Sequence, residues 1–146
     1  MRLDKLTLDG WRNYQRQTLA FDQRCNVIYG ENAQGKTNLL EAAVYLSCGK
    51  SPRAHGDREL IGFERQDASL TGQIFSRDRA FTTEIQLFRG KRRKMTVNGV
   101  PAKTGSALSD VLHTVFFCPE DLLLIRAGAA ERRRFMDLSL CQLRPR

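Results

Sequence analysis

The sequence predicts an α/β fold built around a phosphate-binding loop. Three observations predict it. The run Gly30-Glu31-Asn32-Ala33-Gln34-Gly35-Lys36-Thr37 matches G-x-x-x-x-G-K-[ST] at every fixed position. Asn26-Val27-Ile28-Tyr29 before it reads as a short buried strand, and Thr37 to Leu46 after it reads as a helix. Beyond residue 69, alternating apolar segments with hairpin signals predict antiparallel β-structure beside that core.

Each element follows in order. Leu3, Leu6 and Leu8 give an opening strand that Gly10 breaks. Thr18 to Phe21 is a second strand, and Asp22-Gln23-Arg24 turns the chain toward the loop. In the helix, Leu39, Leu40, Ala43 and Val44 recur at helical spacing. Gly49 to Asp57 holds Gly, Ser and Pro and reads as a loop. Ser69 to Phe75 and Phe81 to Phe88 are strands joined by Ser76-Arg77-Asp78-Arg79. Lys94 to Val97 is a further strand, closed by the hairpin signal Asn98-Gly99. Ser106 to Leu112 is a short helix, Val115 to Cys118 a buried strand stopped by Pro119, and Ala129 to Leu140 a helix with Phe135, Leu138 and Leu140 apolar. No internal repeat or low-complexity segment interrupts this order.

At 146 residues the chain suits one hydrophobic core. Hydrophobic residues at 41% and charged residues at 27% fit a soluble globular protein. No apolar run reaches membrane-spanning length and the start lacks a secretory core, so the expectation is a cytoplasmic protein with no membrane partner. The net charge of +8 points to an anionic partner, with nucleotide, DNA, RNA and acidic membrane all eligible. Cys25, Cys48, Cys118 and Cys141 lie too far apart for a C-x-x-C metal site and read as reduced, small hydrophobes.

The chemistry sits in the loop. Backbone N–H groups of such a loop wrap a triphosphate, its lysine reaches the β- and γ-phosphates, and its hydroxyl helps hold Mg²⁺. The candidate ATP site is therefore Gly30, Glu31, Asn32, Ala33, Gln34, Gly35, Lys36, Thr37 and the adjoining Asn38, with Thr37 on the metal. The positive end of the following helix faces the same phosphates. Hydrolysis needs an acid on a neighbouring strand. Phe116-Phe117-Cys118-Pro119-Glu120-Asp121 superficially fits, but Pro119 intervenes and Asp121 suits the N-cap of Leu122 to Ile125 better. The chain thus holds a nucleotide cradle without a convincing catalytic half, and no catalytic residue is expected within it.

Two basic clusters invite nucleic acid. Arg89, Lys91, Arg92, Arg93 and Lys94 crowd a hairpin, where they could meet DNA phosphates or simply protect a solvated strand edge. Arg132, Arg133 and Arg134 point in different directions on one helix, and one of them is expected to pair with Glu131 or Asp137. Lys50, Arg53 and His55, in the loop after the first helix, could reach DNA or a partner subunit. His55 and His113 form no ligand or triad arrangement.

Four blocks then carry a resemblance that covers nearly the whole chain: Leu6-x-Leu8-x-Gly10-Trp11-Arg12-Asn13-Tyr14, Gly30 to Ala42, Phe117-x-Pro119-Glu120-Asp121-Leu122, and Arg132 to Asp137. Together, and in this order, they resemble the RecF family of bacterial DNA replication and repair proteins, which belongs with the structural-maintenance-of-chromosomes (SMC) ATPases of the ABC class. Trp11, where that family usually has Phe, is a mild departure. The resemblance implies a P-loop ABC-type ATPase head, with residues 1–146 forming the N-terminal part of its first lobe. The second lobe, with the signature motif and the acidic strand, would lie outside this sequence. It further implies that Asn32 sits near the γ-phosphate and that Arg12 and Asn13 lie near the nucleotide. ATP would drive homodimerisation around single-stranded or gapped double-stranded DNA. RecO and RecR would be partners in loading a recombinase, within recombinational repair, replication and the SOS response. Arg92, Arg93, Lys94, Lys50 and Arg53 are the candidate DNA contacts. The family is a weak DNA-dependent ATPase, and this chain alone is expected to bind ATP without hydrolysing it. Two other readings stand beside it: a small P-loop nucleotide kinase, disfavoured by the antiparallel middle of the chain, and a nucleic-acid-binding module that never hydrolyses ATP.

Overall fold

The computed structural model describes residues 1–119 and 128–143. A six-stranded sheet in the order β2-β1-β3-β4-β5-β6 forms its backbone. The strands are β1 (Arg2–Trp11), β2 (Tyr14–Ala20), β3 (Asp67–Ser76), β4 (Arg79–Phe88), β5 (Lys94–Val97) and β6 (Val100–Pro101), each antiparallel to its neighbours. The helices are α1 (Lys36–Cys48), α2 (Ser106–Ser109) and α3 (Ala129–Leu143), with a 3₁₀ turn at Asp57–Leu60.

Alternation decides which face is buried. Leu6 and Leu8 of β1, Ala68, Leu70 and Ile74 of β3, Ile85 and Leu87 of β4, and Met95 of β5 all point to one side. Lys5, Gln73, Glu84 and Gln86 point to the other, which is exposed. The helix α1 covers the apolar side with Leu39, Ala42, Tyr45 and Leu46. Gly72 makes this approach possible, because a Cβ there would lie 2.1 Å from Cδ2 of Leu46. Two tight turns set the register. Arg77-Asp78 (φ 50° and 58°) and Asn98-Gly99 (φ 49° and 77°) are positive at both central positions, the twist that antiparallel hairpins favour.

Several expectations change. Residues 26–29 are not a buried strand: Val27 and Tyr29 are 78% and 90% exposed. A strand needs a hydrogen-bonding neighbour, and no described strand runs beside this one. Val115 to Cys118 fails as a buried strand for the same reason, with Val115 and Phe117 exposed. Gly10 does not end β1. Its φ of 64° lets the strand bend past Asp67 and continue to Trp11. The buried stripe of α1 runs through Leu39, Ala42, Tyr45 and Leu46, while Leu40 faces solvent. Both faces of that helix carry apolar residues, so spacing alone did not choose between them. The short helix α2 ends at Ser109, and α3 continues to Leu143. Of the cysteines, Cys48 and Cys118 are half-buried, but Cys25 is exposed. Glu120, Asp121 and Leu122 to Ile125 lie outside the described residues.

Candidate nucleotide site

The loop from Gly30 leads directly into α1. Its backbone takes left-handed values at Gly30 (φ 144°), Ala33 (φ 65°) and Gly35 (φ 100°). Runs of this kind turn successive N–H groups inward and make an anion-binding concavity. Gly35 caps α1 without any side-chain hydrogen bond to the first-turn N–H groups. Those donors and the positive end of the helix dipole therefore face the loop. The Lys36 ammonium donates to the carbonyls of Gly30 (2.8 Å) and Glu31, so it arches across the loop mouth. Glu31, Asn32, Ala33, Gln34 and Thr37 are exposed, and Asn38 is half-buried.

The turn between β1 and β2 braces this loop from behind. Asn13 Nδ2 donates to the Gln34 carbonyl (3.2 Å), and Asn38 Nδ2 donates to Asn13 Oδ1 (2.9 Å). A Cβ at Gly35 would come within 2.6 Å of the Asn13 amide, so this position requires glycine for space as well as for φ. The Tyr14 hydroxyl donates to the Gly35 carbonyl at 3.2 Å, and burial pushes its pKa up. Trp11 Nε1 donates to the Asn38 carbonyl at 3.0 Å and packs on Tyr45 with 5.4 Å between ring centroids. Asn13 is therefore at the loop. Arg12 is not: its guanidinium turns to the buried carboxylate of Glu41, with Nε 2.9 Å from Oε2 and Nη2 2.8 Å from Oε1.

The sequence reading missed two of these residues. Glu41 is fully buried and also accepts from Ser51 Oγ at 2.6 Å. Tyr14 stood in the opening block but was given no role of its own. The available signal for Glu41 was an acid placed amid Leu39, Leu40, Ala42 and Ala43, where a buried charge demands a partner.

The basic residues divide. Arg53 donates to Asn38 Oδ1 at 3.0 Å and lies 3.7 Å from Glu41, beside the residues that brace the phosphate loop. Arg93 turns inward: it donates to the Gly49 carbonyl (2.6 Å) and the Tyr45 hydroxyl (2.9 Å) and pairs with Asp57 at 3.4 Å. Arg89 likewise donates to the carbonyls of Arg65 and Gly62. Lys50, Arg92 and Lys94 are exposed, as are Arg132, Arg133 and His55. The side chain of Arg134 lies outside the described residues. One cleft of about 590 Å³ is lined by Tyr45, Lys50, His55, Arg93, Arg133 and Asp137 among others. A second, of about 650 Å³, is lined by His55, Arg58, Lys91 and Arg92 together with Asp57 and Glu59. Residues 30–38 line neither.

Comparison with known proteins agrees with this geometry. The AAA-domain family matches residues 5–121. The DNA replication and repair protein RecF of Agathobacter rectalis is 41% identical over 143 residues, covering 98% of this chain and 40% of its own length. RecF of Enterococcus faecalis is 41% identical over 145 residues, with 99% and 38% covered. The chain thus spans about two-fifths of the length of the curated relatives it matches. Among solved structures, the recombination mediator protein RecF with ATP, of the RecFOR pathway, superposes with a TM-score of 0.89 at 32% identity, over 98% of this chain and 40% of that one. An SMC ATPase studied for ATP-driven dimerization and DNA-stimulated activation superposes with a TM-score of 0.73 at 21% identity, over 93% of this chain and 98% of that one, and so shares the fold. A complete phosphate loop, braced by Asn13 and Tyr14 on an antiparallel sheet of this topology, therefore belongs to the AAA-domain family, and the chain is a RecF relative with the P-loop ABC-ATPase fold.

Proposed function

We propose that this chain is the nucleotide-binding part of a RecF-type DNA repair ATPase. The single observation that carries the reading is the loop itself. Three left-handed backbone positions, an uncapped helix N-terminus and the Lys36 ammonium converge on one exposed concavity. That donor set fits a triphosphate, which offers many acceptor oxygens and no donors. Residues 30–38 would hold ATP, with Lys36 on the β- and γ-phosphates. The exposed Thr37 hydroxyl would supply the chain's ligand to Mg²⁺, the remaining ligands being phosphate oxygens and water. The metal and nucleotide would bring charge neutralisation and the reacting phosphoryl group, and the residues present bind and orient them.

Relatives support the wider reading. A RecF solved with ATP belongs to the RecFOR pathway, and ATP drives dimerization of an SMC ATPase of this fold. By extension, the intact protein dimerises on ATP, binds single-stranded or gapped DNA and works with RecO and RecR in the cytoplasm. Among the described residues no helix is long and apolar enough to cross a membrane. On the donor set of its phosphate loop, the isolated chain is read as a binder of ATP. Equilibrium binding of a fluorescent ATP analogue tests this. Lys36→Ala is expected to weaken binding by about 10- to 100-fold, the value of a charge-assisted contact. Steady-state turnover by the 146-residue chain, lost on Lys36→Ala, would count against binding without hydrolysis.

A further inference from the structure

We infer that Glu41 is a positioning residue of the nucleotide site, acting through Arg12 and Arg53 on the side chain of Asn13 behind the phosphate loop. The inference rests on the nucleotide-binding reading above.

It begins with an oddity of the β1–β2 turn. Trp11 pairs with Tyr14, which leaves Arg12 and Asn13 as a two-residue turn. The φ of Arg12 is 51°, a left-handed value at a turn position where glycine is usual. A long side chain stays in such a conformation only when its surroundings hold it there. Arg12 is held from two directions. Its backbone N–H donates to the Leu60 carbonyl and its Nη1 to the Glu59 carbonyl, both at 2.8 Å. Its Nε and Nη2 form a fork on Glu41.

Glu41 cannot meet a nucleotide itself, because it has no exposed surface. Its two oxygens are occupied by Arg12 and by Ser51 Oγ, with Arg53 3.7 Å away. Both of its arginine partners lead to Asn13. Arg12 does so through the chain, since Asn13 is the next residue. Arg53 does so through Asn38, donating to Asn38 Oδ1 while Asn38 Nδ2 donates to Asn13 Oδ1. That second bond orients the Asn13 amide so that its Nδ2 faces the Gln34 carbonyl. One buried carboxylate thus anchors both supports of the residue that braces the loop. Neutralising it frees the two arginines and lets Asn13 drift, while every group that would touch phosphate is left intact.

A double-mutant cycle in the intact protein tests this, read as the ATP dissociation constant with thermal stability measured alongside. Glu41→Gln and Asn13→Ala are each expected to weaken binding by about fivefold or more, and the double variant to bind no more weakly than Asn13→Ala alone. Arg12→Gly suits the positive φ, lacks the guanidinium, and is expected to show the same loss. It keeps the test intact if Glu41→Gln does not fold. An unchanged constant in Glu41→Gln with a lowered melting temperature would make the carboxylate merely structural and overturn the inference. Tighter binding would overturn it as well, since it would mean that Arg12 leaves Glu41 to grip the phosphates directly. So would additive losses in the double variant. Failure of the nucleotide reading is separate: ATP binding by the unmodified protein would then be absent or survive Lys36→Ala.

Discussion

At the scale of single residues, the structure is decided by where buried polar groups find partners. Tyr45 illustrates this away from the loop. Its hydroxyl donates to Asp57 Oδ1 at 2.7 Å and accepts from Arg93 at 2.9 Å. Burial first, and then the bond to Asp57, push its pKa well above the usual 10.0, with Arg93 opposing. The folded state therefore holds this proton more tightly than the unfolded chain. The contribution is complete below about pH 10, where both states are protonated, and declines as pH rises above it, where the unfolded chain alone releases the proton. Tyr45→Phe should cost about 1–2 kcal/mol at neutral pH by removing one hydrogen-bond partner from each of Arg93 and Asp57. It should also flatten this part of the alkaline decline. Urea midpoints measured from about pH 8 to about pH 11 check both outcomes. The same cluster shows that the residues of one basic run meet different surroundings. Sequence gives Arg89 and Arg93 the same apparent standing as Arg92 and Lys94, yet the first two are bound to backbone carbonyls and Asp57.

At the scale of elements, period-2 alternation made the β-meander legible. The strands β3, β4 and β5 lie within two residues of their expected bounds because each residue pair contributes one clear in-or-out choice. The turns were equally legible, since Asn98-Gly99 has a specific backbone requirement. Helix α1 was legible as a helix but not in its facing, which depends on the sheet it meets. That packing yields a sharp test. Gly72→Ala places a methyl group where Leu46 already lies, at 2.1 Å, in a fully buried contact. The expected outcome is a loss of about 1–3 kcal/mol from overpacking, and Leu46→Ala in the same chain should recover part of it. Thermal melts of the two single variants and the double variant would show this. A neutral Gly72→Ala would mean that α1 does not sit on β3.

At the scale of the whole molecule, one face of the sheet is covered and several apolar groups remain outside. Val27, Tyr29, Val115, Phe117, Met136 and Leu140 are all more than half exposed. The segments around 27–29 and 115–118 have strand-like sequence, but the strands that would pair with them are not among the described residues. Charge divides in a similar way. Of the +8 net charge, the freely projecting part includes Lys50, Lys91, Arg92 and Lys94. Binding to single-stranded DNA should therefore weaken steeply with salt. Arg92→Ala should lower the slope of log affinity against log salt by about 0.7, the release expected for one phosphate contact. Arg93→Ala should instead lower the melting temperature, because it opens the Tyr45–Asp57 cluster. Fluorescence anisotropy across a salt series, paired with thermal melts, distinguishes the two. A flat titration would remove DNA phosphates as partners of this face.

The sequence by itself determined the phosphate-loop pattern, the helix that follows it and the antiparallel strands β3 to β5. Gly30, Gly35, Lys36 and Thr37 are required by phosphate geometry at fixed spacing, and alternation and turn residues are local properties of the chain. Only the tertiary structure decided which charges are free, which face of α1 is buried, and that Glu41 stands between Arg12 and Arg53 behind Asn13. The reason is range. A backbone conformation is set by a residue and its neighbours in sequence. The partner of a buried charge is set by groups tens of residues away, brought together only when the sheet closes beneath the helix.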